Sequence, residues 1–356
     1  KRALIANEEV YVAVTRDGYI KRSSLKSYKS SLTPYPGIKT GDRLVCADLA
    51  NTVDYLLCFT NLGNYLFLPI NEIQDGKWKE EGKHVNYICQ LPIDERIIKA
   101  IIVQKFNEDV FIASISSKGQ IKKTRLSEFF AQRYSKPISM MRLSSSDELV
   151  DVCVTNGNNN LLIINNDGRA TFFNENELQP LGLKTSGIKS ISNIKDSKVA
   201  SLIALEQGEK GKIAILTDKG HVRIFDLSNL ELTQRLGKIN ILMKSFKSSP
   251  HKIIYVSKID KNSESVSLKC LDLLGQVNDI KIDDYHVTPI EKYAKNNTNI
   301  ADDTILTECY VVNVQHVTSD MKTYKIETPK DDNGGDEEDG SKTDHEQISM
   351  FDLNGD

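Results

Sequence analysis

Apolar and β-branched residues recur along the chain in short runs, and six of these runs end in a turn that contains glycine. The first run, at residues 10–15, leads through Asp17-Gly18 into Tyr19-Ile20-Lys21-Arg22, which is apolar first and basic afterwards. Such a pattern is typical of a β-hairpin, because glycine readily adopts the positive φ that tight turns need. The equivalent turn glycines are Gly18, Gly63, Gly119, Gly168, Gly220 and Gly275.

The spacing of these turns indicates a repeat protein. Successive glycines are 45, 56, 49, 52 and 55 residues apart. Each unit has room for about four short strands. A period of this length is typical of propeller-like folds, in which each unit forms one blade. The sequence therefore predicts an all-β fold, a disc of six four-stranded blades.

Bulk composition argues against several classes of protein. The chain has 356 residues, of which 39% are hydrophobic and 27% are charged. No apolar run is long enough for a membrane span, and Lys1-Arg2-Ala3-Leu4 is not followed by a signal-peptide core. The missing initiator methionine predicts a piece of a longer protein. The six cysteines form no Cys-x-x-Cys pair, so we expect buried reduced thiols and no metal site.

Charge is distributed unevenly along the chain. Residues 331–356 hold ten carboxylates and one lysine, a net charge of −9, whereas residues 1–330 hold 45 basic and 39 acidic side chains, a net of +6. We therefore predict a folded domain at residues 1–327 and an acidic tail at 328–356, disordered over 328–346. A basic body indicates a polyanionic partner, and the acidic tail is predicted to compete with that partner.

Two phrases in the first two units resemble a known family. Residues 8–22 read Glu-Glu-Val-Tyr-Val-Ala-Val-Thr-Arg-Asp-Gly-Tyr-Ile-Lys-Arg, and residues 54–63 read Asp-Tyr-Leu-Leu-Cys-Phe-Thr-Asn-Leu-Gly. They resemble the first two blades of the C-terminal domain of bacterial type IIA topoisomerase A subunits, and the resemblance covers about residues 1–315. It implies a six-bladed β-pinwheel whose blades partly exchange strands and whose rim binds and bends duplex DNA.

The resemblance also implies a role within a larger enzyme. The chain would be a non-catalytic domain that selects and positions the transported DNA segment, since the family's nucleophilic tyrosine precedes this region. No cofactor is expected in the chain, because ATP and Mg²⁺ belong to other parts of that enzyme. The expected partners are duplex DNA, bound largely without sequence preference, the rest of the topoisomerase A subunit, and the topoisomerase B subunit. The expected location is the bacterial cytoplasm, at the nucleoid.

One departure from the family pattern separates its two branches. Gyrase A subunits carry a Gln-Arg-Arg-Gly-Gly-Lys-Gly box in the first unit, whereas residues 28–39 contain no such box. A weak echo, Gln234-Arg235-Leu236-Gly237-Lys238, occurs in the fifth unit. In lacking the box, the chain resembles the A subunits of topoisomerase IV. A gyrase domain with a degraded box is one alternative, and a propeller that mainly binds other proteins is another.

Basic residues after the turn glycines predict an uneven basic arc on the rim, strongest in units one, three and five. Contacts should be mostly to phosphate, because these residues lie on exposed turns and not on a groove-sized helix. Unit four also offers Lys184 and Lys189. The predicted DNA-binding residues are Lys21, Arg22, Lys26, Lys29, Lys122, Lys123, Arg125, Arg133, Lys136, Arg169, Arg223, Arg235, Lys238, Lys244 and Lys247.

The last residues of the chain become apolar again. Gln347-Ile348-Ser349-Met350-Phe351 closely resembles the pentapeptide by which bacterial replication proteins dock into the sliding clamp. Gln347 is expected to provide a polar anchor, and Met350 and Phe351 to fill an apolar pocket with Ile348 beside them. The acidic segment before them would serve as a tether. The sequence therefore predicts the sliding clamp as a further partner.

Overall fold

Six hairpins form the framework of the structure, a computed structural model that describes residues 4–192, 196–260, 266–282, 287, 289, 290, 292–295, 298–312 and 315–324. Their strands are rich in valine, isoleucine, leucine and phenylalanine, which suit a pleated, buried surface. Numbered along the chain, the hairpins are β1 (Glu9–Thr15) with β2 (Tyr19–Ser24), β4 (Tyr55–Thr60) with β5 (Asn64–Pro69), β8 (Phe111–Ser116) with β9 (Gln120–Arg125), β12 (Asn160–Asn165) with β13 (Arg169–Asn174), β16 (Gly211–Thr217) with β17 (Val222–Asp226), and β20 (Val266–Asp272) with β21 (Val277–Ile282).

Each unit also contributes an inner strand, which pairs antiparallel with the first strand of its own hairpin. All six pairs share one register shift, a β-bulge next to the turn. Successive inner strands contact one another from the first unit to the last and line a central channel of about 500 Å³. The inner strands are β3 (Leu44–Asn51), β7 (Ile97–Val103), β11 (Leu149–Thr155), β15 (Val199–Leu205), β19 (Ile253–Asp260) and β22 (Leu306–Tyr310).

The outer edge of a blade is supplied by the following unit, through a loop and short strand that we call the incoming segment. Four such strands pair antiparallel with the second hairpin strand of blades 1 to 4. In blade 5 a single bridge between Val222 and Lys295 takes this place. The outer strands are β6 (Lys83–His84), β10 (Ile138–Ser139), β14 (Ile188–Lys189) and β18 (Asn240–Ile241).

The all-β, six-bladed prediction is confirmed, with differences in strand number. Blades 1, 3 and 4 have the expected four strands, and blade 2 has a fifth, β23 (Gln315–Val317), parallel to β7. Blades 5 and 6 have three strands each among the described residues. The acidic tail and the predicted boundary at residue 327 lie outside the described residues.

Blades 6 and 1 close the ring. Arg16 and Arg43 of unit one both pair with the Glu308 carboxylate on β22, and the Arg43 Nε lies 3.4 Å from its Oε1. Tyr35 of unit one packs edge-on against Tyr310 of β22, with ring centroids 6.3 Å apart. These contacts join the first unit to the last.

Neighbouring blades pack face to face, so the hairpin strands are covered on both sides. Ile121 on β9 packs with Leu161 and Ile163 of blade 4, whereas Ile112 on β8 packs with Leu57 of blade 2. All four central residues of β9 are buried. Alternate side chains of a hairpin strand therefore face two different apolar interfaces, one with each neighbouring blade, and do not alternate between core and solvent.

A short helical turn follows the second hairpin strand in the first five units. In unit one it is the α-helix α1 (Leu25–Ser31), whose N-cap Ser24 accepts a hydrogen bond from the Ser27 amide at 3.1 Å. In units two to five it is a 3-10 turn. These turns are Ile70–Glu72, Leu126–Phe129, Glu175–Glu177 and Leu227–Asn229.

One cysteine pair differs from the expectation of reduced thiols. Cys270 on β20 and Cys309 on β22 lie opposite each other in the ladder and form a disulfide, because a directly opposed pair brings two Cβ atoms within bonding reach. The buried free thiols are Cys46, Cys58, Cys89 and Cys153. Among the described residues, no helix is long and apolar enough to cross a membrane.

Candidate nucleic-acid interface

Odd-numbered blades bury a cation three residues after the turn glycine. Lys21, Lys122 and Arg223 hold this position, and each is at most 3% exposed. Their head groups donate hydrogen bonds to backbone carbonyls of incoming segments, which are otherwise costly to bury. The residues at this position in the even-numbered blades are Leu66, Thr171 and Asn278.

Lys122 of blade 3 shows the arrangement. Its Nζ donates to the carbonyl of Met140 at 2.5 Å and to that of Thr185 at 3.4 Å. Met140 follows the outer strand of blade 2, and Thr185 precedes that of blade 3, so one ammonium group joins two incoming segments. Burial lowers the pKa of Lys122 to about 8, because water no longer stabilises its charge.

The other two cations make the same kind of contact. Lys21 Nζ donates to the carbonyls of Trp78 at 2.6 Å and Lys77 at 3.1 Å, in the incoming segment of blade 1. Burial lowers its pKa to about 8 as well. Arg223 Nη2 donates to the Pro289 carbonyl at 2.9 Å. The basic residues of units one, three and five therefore serve in part to hold the exchanged strands in place.

Lys123 is buried in a different way. Its Nζ lies 3.3 Å from Glu175 Oε2, and neither side chain is exposed. Glu175 also accepts from the Thr155 hydroxyl at 2.8 Å and the Asn159 amide at 2.7 Å, so this ion pair has the hydrogen bonds that a buried charge requires. Burial lowers the pKa of Lys123 although Glu175 opposes the shift.

Four of the predicted DNA-binding residues are therefore not available at the surface. The prediction is corrected for them because their charged groups are enclosed by protein and engaged with carbonyls or a carboxylate. They are Lys21, Lys122, Lys123 and Arg223.

The remaining eleven predicted cations reach the surface. Three half-buried arginines are engaged with neighbours: Arg22 with Asp75 at 3.1 Å, Arg125 with the Glu108 carbonyl at 2.9 Å, and Arg169 in an ion pair. Arg235 is also half-buried. The exposed ones are Lys26, Lys29, Arg133, Lys136, Lys238, Lys244 and Lys247.

Exposed cations accompany the incoming segment of every blade from 1 to 5, and we call them the rim cations. They lie on the outer strand or in the loop beside it, at the edge farthest from the channel. Positive charge repeated along one edge suits a polyanion whose own charges repeat. The rim cations are Lys77, Lys79 and Lys83 in blade 1, Arg133, Lys136 and Arg142 in blade 2, Lys184 and Lys189 in blade 3, Lys238, Lys244 and Lys247 in blade 4, and Lys292 and Lys295 in blade 5.

Six rim cations were not predicted from the sequence. They lie well after the turn glycine, outside the strand that starts there and outside the charge clusters that follow the glycines. A signal exists, since Lys83, Lys136, Lys189 and Lys238 all fall 17 to 21 residues after a turn glycine. The residues missed are Lys77, Lys79, Lys83, Arg142, Lys292 and Lys295.

The loop that echoes the gyrase box lies on the rim but is engaged with protein. The Arg235 guanidinium donates to the Lys189 carbonyl at 2.6 Å, and its amide donates to the Glu177 carboxylate. Lys238 pairs with Glu231 at 2.7 Å. Arg235 therefore holds the loop across blades 3 and 4, and Lys238 is paired within the loop, which makes the echo a poor substitute for a free wrapping box.

The charges in the central channel are also paired. Lys99 Nζ lies 3.2 Å from Asp151 Oδ1, and this carboxylate raises the pKa of Lys99. Asp151 Oδ2 accepts from the Leu202 amide of blade 4 at 2.8 Å. These contacts hold blades 2, 3 and 4 together. No cluster of metal-binding side chains occurs among the described residues.

The predicted clamp-binding residues Gln347, Ile348, Met350 and Phe351 lie outside the described residues, as does the acidic segment before them.

Known proteins share this fold and sequence pattern. A family model described as the DNA gyrase C-terminal domain, beta-propeller, matches residues 10–32, 54–104, 111–156 and 159–207. The matched segments contain the hairpins of blades 1 to 4.

Full-length relatives extend well beyond this chain. The A subunit of DNA topoisomerase 4 from Bacillus subtilis (strain 168) is 35% identical over 251 residues, which cover 70% of this chain and 31% of the relative. The protein of the same name from Staphylococcus aureus (strain MRSA252) is 32% identical over 284 residues, 79% of this chain and 35% of the relative. The chain spans about a third of the length of these relatives.

Solved structures agree with this comparison. The crystal structure of the C-terminal domain of DNA topoisomerase IV superimposes with a TM-score of 0.75 at 30% identity, covering 86% of this chain and 94% of that one. A structure of the DNA gyrase A C-terminal domain gives a TM-score of 0.62 at 17% identity, covering 85% and 99%. The second match supports the fold alone.

Proposed function

The chain belongs to the family of C-terminal β-propeller domains of bacterial topoisomerase IV and gyrase A subunits, and from this membership we propose that it binds and bends duplex DNA on its rim. One observation carries the proposal: exposed lysine and arginine residues accompany all five incoming segments. Because the incoming segments recur once per blade, the cations recur along the edge in the same way. A duplex bent around that edge would meet them in succession.

A protein that binds in this way contacts the phosphate backbone of the duplex. The rim cations lie on short strands and loops, which do not enter the major groove as a recognition helix does. Their contacts would be to phosphate, with little sequence preference, and any preference would come from the ease of bending. Affinity should fall steeply with salt, because each phosphate contact releases counterions.

Within a topoisomerase IV, the domain would hold the DNA segment that the enzyme transports during decatenation and relaxation. It would act without catalysis, joined to the rest of its A subunit. The catalytic tyrosine, ATP and Mg²⁺ would belong to that remainder of the enzyme, which includes the B subunit. Its place would be the bacterial cytoplasm, at the nucleoid. Gyrase-like wrapping is less well supported, since the box is absent from unit one and its echo is engaged with protein.

Charge reversal on the rim tests DNA binding. We expect Lys136→Glu with Lys189→Glu to weaken binding of a short duplex by about tenfold at low salt and to reduce the salt slope by about 2. Both residues are exposed rim cations, in blades 2 and 3. Fluorescence anisotropy over a salt series measures both quantities.

The matched control is Lys105→Glu with Lys210→Glu. These lysines are also exposed, but they follow inner strands and lie away from the incoming segments. The control changes net charge by the same amount. Equal losses in the two double variants would mean that overall charge, and not the rim, governs binding, and an unchanged rim variant would contradict the proposal.

Docking of residues 347–351 into the sliding clamp stays a separate proposal, supported by their sequence alone. Met350→Ala with Phe351→Ala should abolish retention of the full chain on immobilised clamp while leaving duplex binding intact. Retention that is unaffected by the two substitutions would dismiss it.

A further inference from the structure

Among the described residues, blade 6 has no outer strand like those of blades 1 to 4 and no bridge like that of blade 5. In blades 1 to 4 a residue of the incoming segment donates its amide hydrogen to the carbonyl of the turn glycine. These bonds are Val85 to Gly18 at 2.8 Å, Met140 to Gly63 at 2.9 Å, Ser190 to Gly119 at 2.9 Å and Leu242 to Gly168 at 2.8 Å. Among the described residues, no amide donates to the Gly275 carbonyl.

The space around the turn glycines shows the same difference. A Cβ added to Gly63 would meet the Met141 carbonyl oxygen at 2.3 Å, and one added to Gly168 would meet that of Met243 at 2.6 Å. Gly275 has an equivalent positive φ of 75°, yet no described atom lies within 4 Å of its Cβ position. No described residue therefore occupies, at blade 6, the place that an incoming segment fills elsewhere.

A groove marks this place. It has a volume of about 550 Å³ and is lined on one side by residues 274–277 of blade 6. On the other side lie Tyr35 and Ile38 of unit one, whose segment corresponds to an incoming segment but does not pair with β21. Leu274 and Val277 are 82% and 49% exposed, so the groove presents an apolar surface beside the start of β21, and a strand edge favours pairing with another strand.

The incoming segment of blade 2 shows which sequence would fit this groove. Its incoming segment is Ile138-Ser139-Met140-Met141, in which Ile138 pairs with Tyr65 and Ser139 with Asn64. Met140 and Met141 then enter the core with at most 2% exposure. The chain carries a near copy of this segment in its tail, Ile348-Ser349-Met350-Phe351. Three residues are identical, and the fourth is again large and apolar.

Charge and chain length are compatible with this occupant. Residues 331–356 carry a net charge of −9, and the groove is lined by two lysines, Lys39 and Lys269, and one carboxylate, Asp42. From Tyr324, the last described residue, 23 residues lead to Gln347, and a segment of that length spans up to about 80 Å when extended.

We propose that residues 348–351 bind this groove as the missing outer strand of blade 6. Ile348 would pair with Val277 and Ser349 with Gln276, in the register of blade 2. The Met350 amide would donate to the Gly275 carbonyl, and Met350 and Phe351 would cover the apolar surface. The tail would thereby complete the propeller, by the strand addition that other proteins use to bind peptides.

Cross-linking in the full chain tests the register. With Gln276→Cys and Ser349→Cys, a short bis-maleimide should join the two positions within one molecule. The control pairs Gln276→Cys with Ser341→Cys, which lies in the same tail but eight residues out of register. We expect at least tenfold faster cross-linking at position 349. Equal rates would overturn the proposal, and so would products that join two molecules.

Hydrogen exchange provides a second test without new cysteines. Amides in residues 274–279 should exchange at least tenfold more slowly in the full chain than in its Met350→Ala, Phe351→Ala variant. Unchanged exchange would overturn the proposal even if that variant also loses clamp binding. Duplex affinity is measured separately on the rim, so failure here would leave DNA binding untouched.

Discussion

Lys122 shows that a cation in this fold can be structural even where its position suggests a ligand. It lies on a hairpin strand between two blades, and its ammonium group serves carbonyls from two incoming segments. Removing the amino group leaves those carbonyls without a donor in a buried place, and the penalty for that exceeds the value of an ordinary hydrogen bond.

We expect Lys122→Met to lower the free energy of unfolding by about 1–3 kcal/mol at pH 7, because two buried carbonyls lose their donor. The loss should grow as pH rises from 8 towards 10. The folded-state pKa is lowered to about 8 from an ordinary 10.5, so in this range the unfolded wild-type chain binds more protons than the folded one. Wild type therefore gains stability there, and the methionine variant does not.

Urea denaturation at pH 7 and pH 9.5 measures this difference. Lys189→Met is the control, since Lys189 is exposed on the rim and should change stability little at either pH. A Lys122→Met deficit that is the same at both pH values would contradict the expected pKa.

The sequence located these buried cations but could not predict their burial. Alternate side chains of a strand normally face the core and the solvent in turn. On that basis the lysine after Tyr19-Ile20 is expected to be exposed. Here both faces of the hairpin strands meet another blade, so Lys21 and Lys122 have no solvent side. Six of the rim cations were missed for the related reason that the outermost strand of a blade comes from another unit.

Incoming segments are the elements on which the blade edges depend, and glycine brings two of them into place. Gly82 and Gly187 precede the outer strands of blades 1 and 3. A Cβ added to either would lie 2.5 Å from a backbone carbonyl oxygen, that of Ile20 for Gly82 and that of Ile121 for Gly187. Only a residue without a side chain allows the segment to lie this close.

Gly187→Ala should therefore push the outer strand away from β9 and lower the free energy of unfolding by about 2 kcal/mol. It should also speed exchange of the amides at residues 188–190. Gly182→Ala in the same loop is the control, because its Cβ would meet only the Glu128 carboxylate at 3.5 Å, an ordinary contact. Equal stability of the two variants in urea would show that β14 does not need the close approach.

At the level of elements, the six turn glycines predicted the six hairpins because local turn chemistry specifies them. Strand exchange followed only from the family resemblance, since a two-residue strand such as Lys83–His84 carries no periodic signal. The cysteine pairing was missed because Cys270 and Cys309 are 39 residues apart and become neighbours only through the register of β20 and β22.

Over the whole molecule, the ring is held at the junction of blades 6 and 1 by a carboxylate and two arginines. The Glu308 side chain is 35% exposed, whereas Arg16 and Arg43 are 14% and 17% exposed. Burial lowers the pKa of Arg43 and Glu308 opposes this shift. Arg16 also pairs with Asp17 at 3.0 Å, so loss of the Glu308 carboxylate would mainly leave the mostly buried charge of Arg43 without its ion-pair partner.

Glu308→Gln should therefore destabilise the domain by about 2 kcal/mol, since an unpaired buried charge costs more than a lost surface pair. Glu231→Gln is the matched control, because its partner Lys238 is 71% exposed and such pairs contribute less than about 1 kcal/mol. The thermal unfolding midpoints of both variants, measured at one ionic strength, test this expectation. A Glu308→Gln midpoint that equals that of Glu231→Gln would mean that the seam is held by packing alone.

The exchange of outer strands has a consequence for how the chain is made. Synthesis proceeds from the N-terminus, so the sheet of each of the first four blades stays one strand short until the next unit, some 45 to 56 residues later, has left the ribosome. A nascent chain therefore carries one incomplete blade edge at a time, which is that of the most recently synthesised blade. If residues 348–351 form the outer strand of blade 6 as proposed, that edge is completed only once this segment has been synthesised.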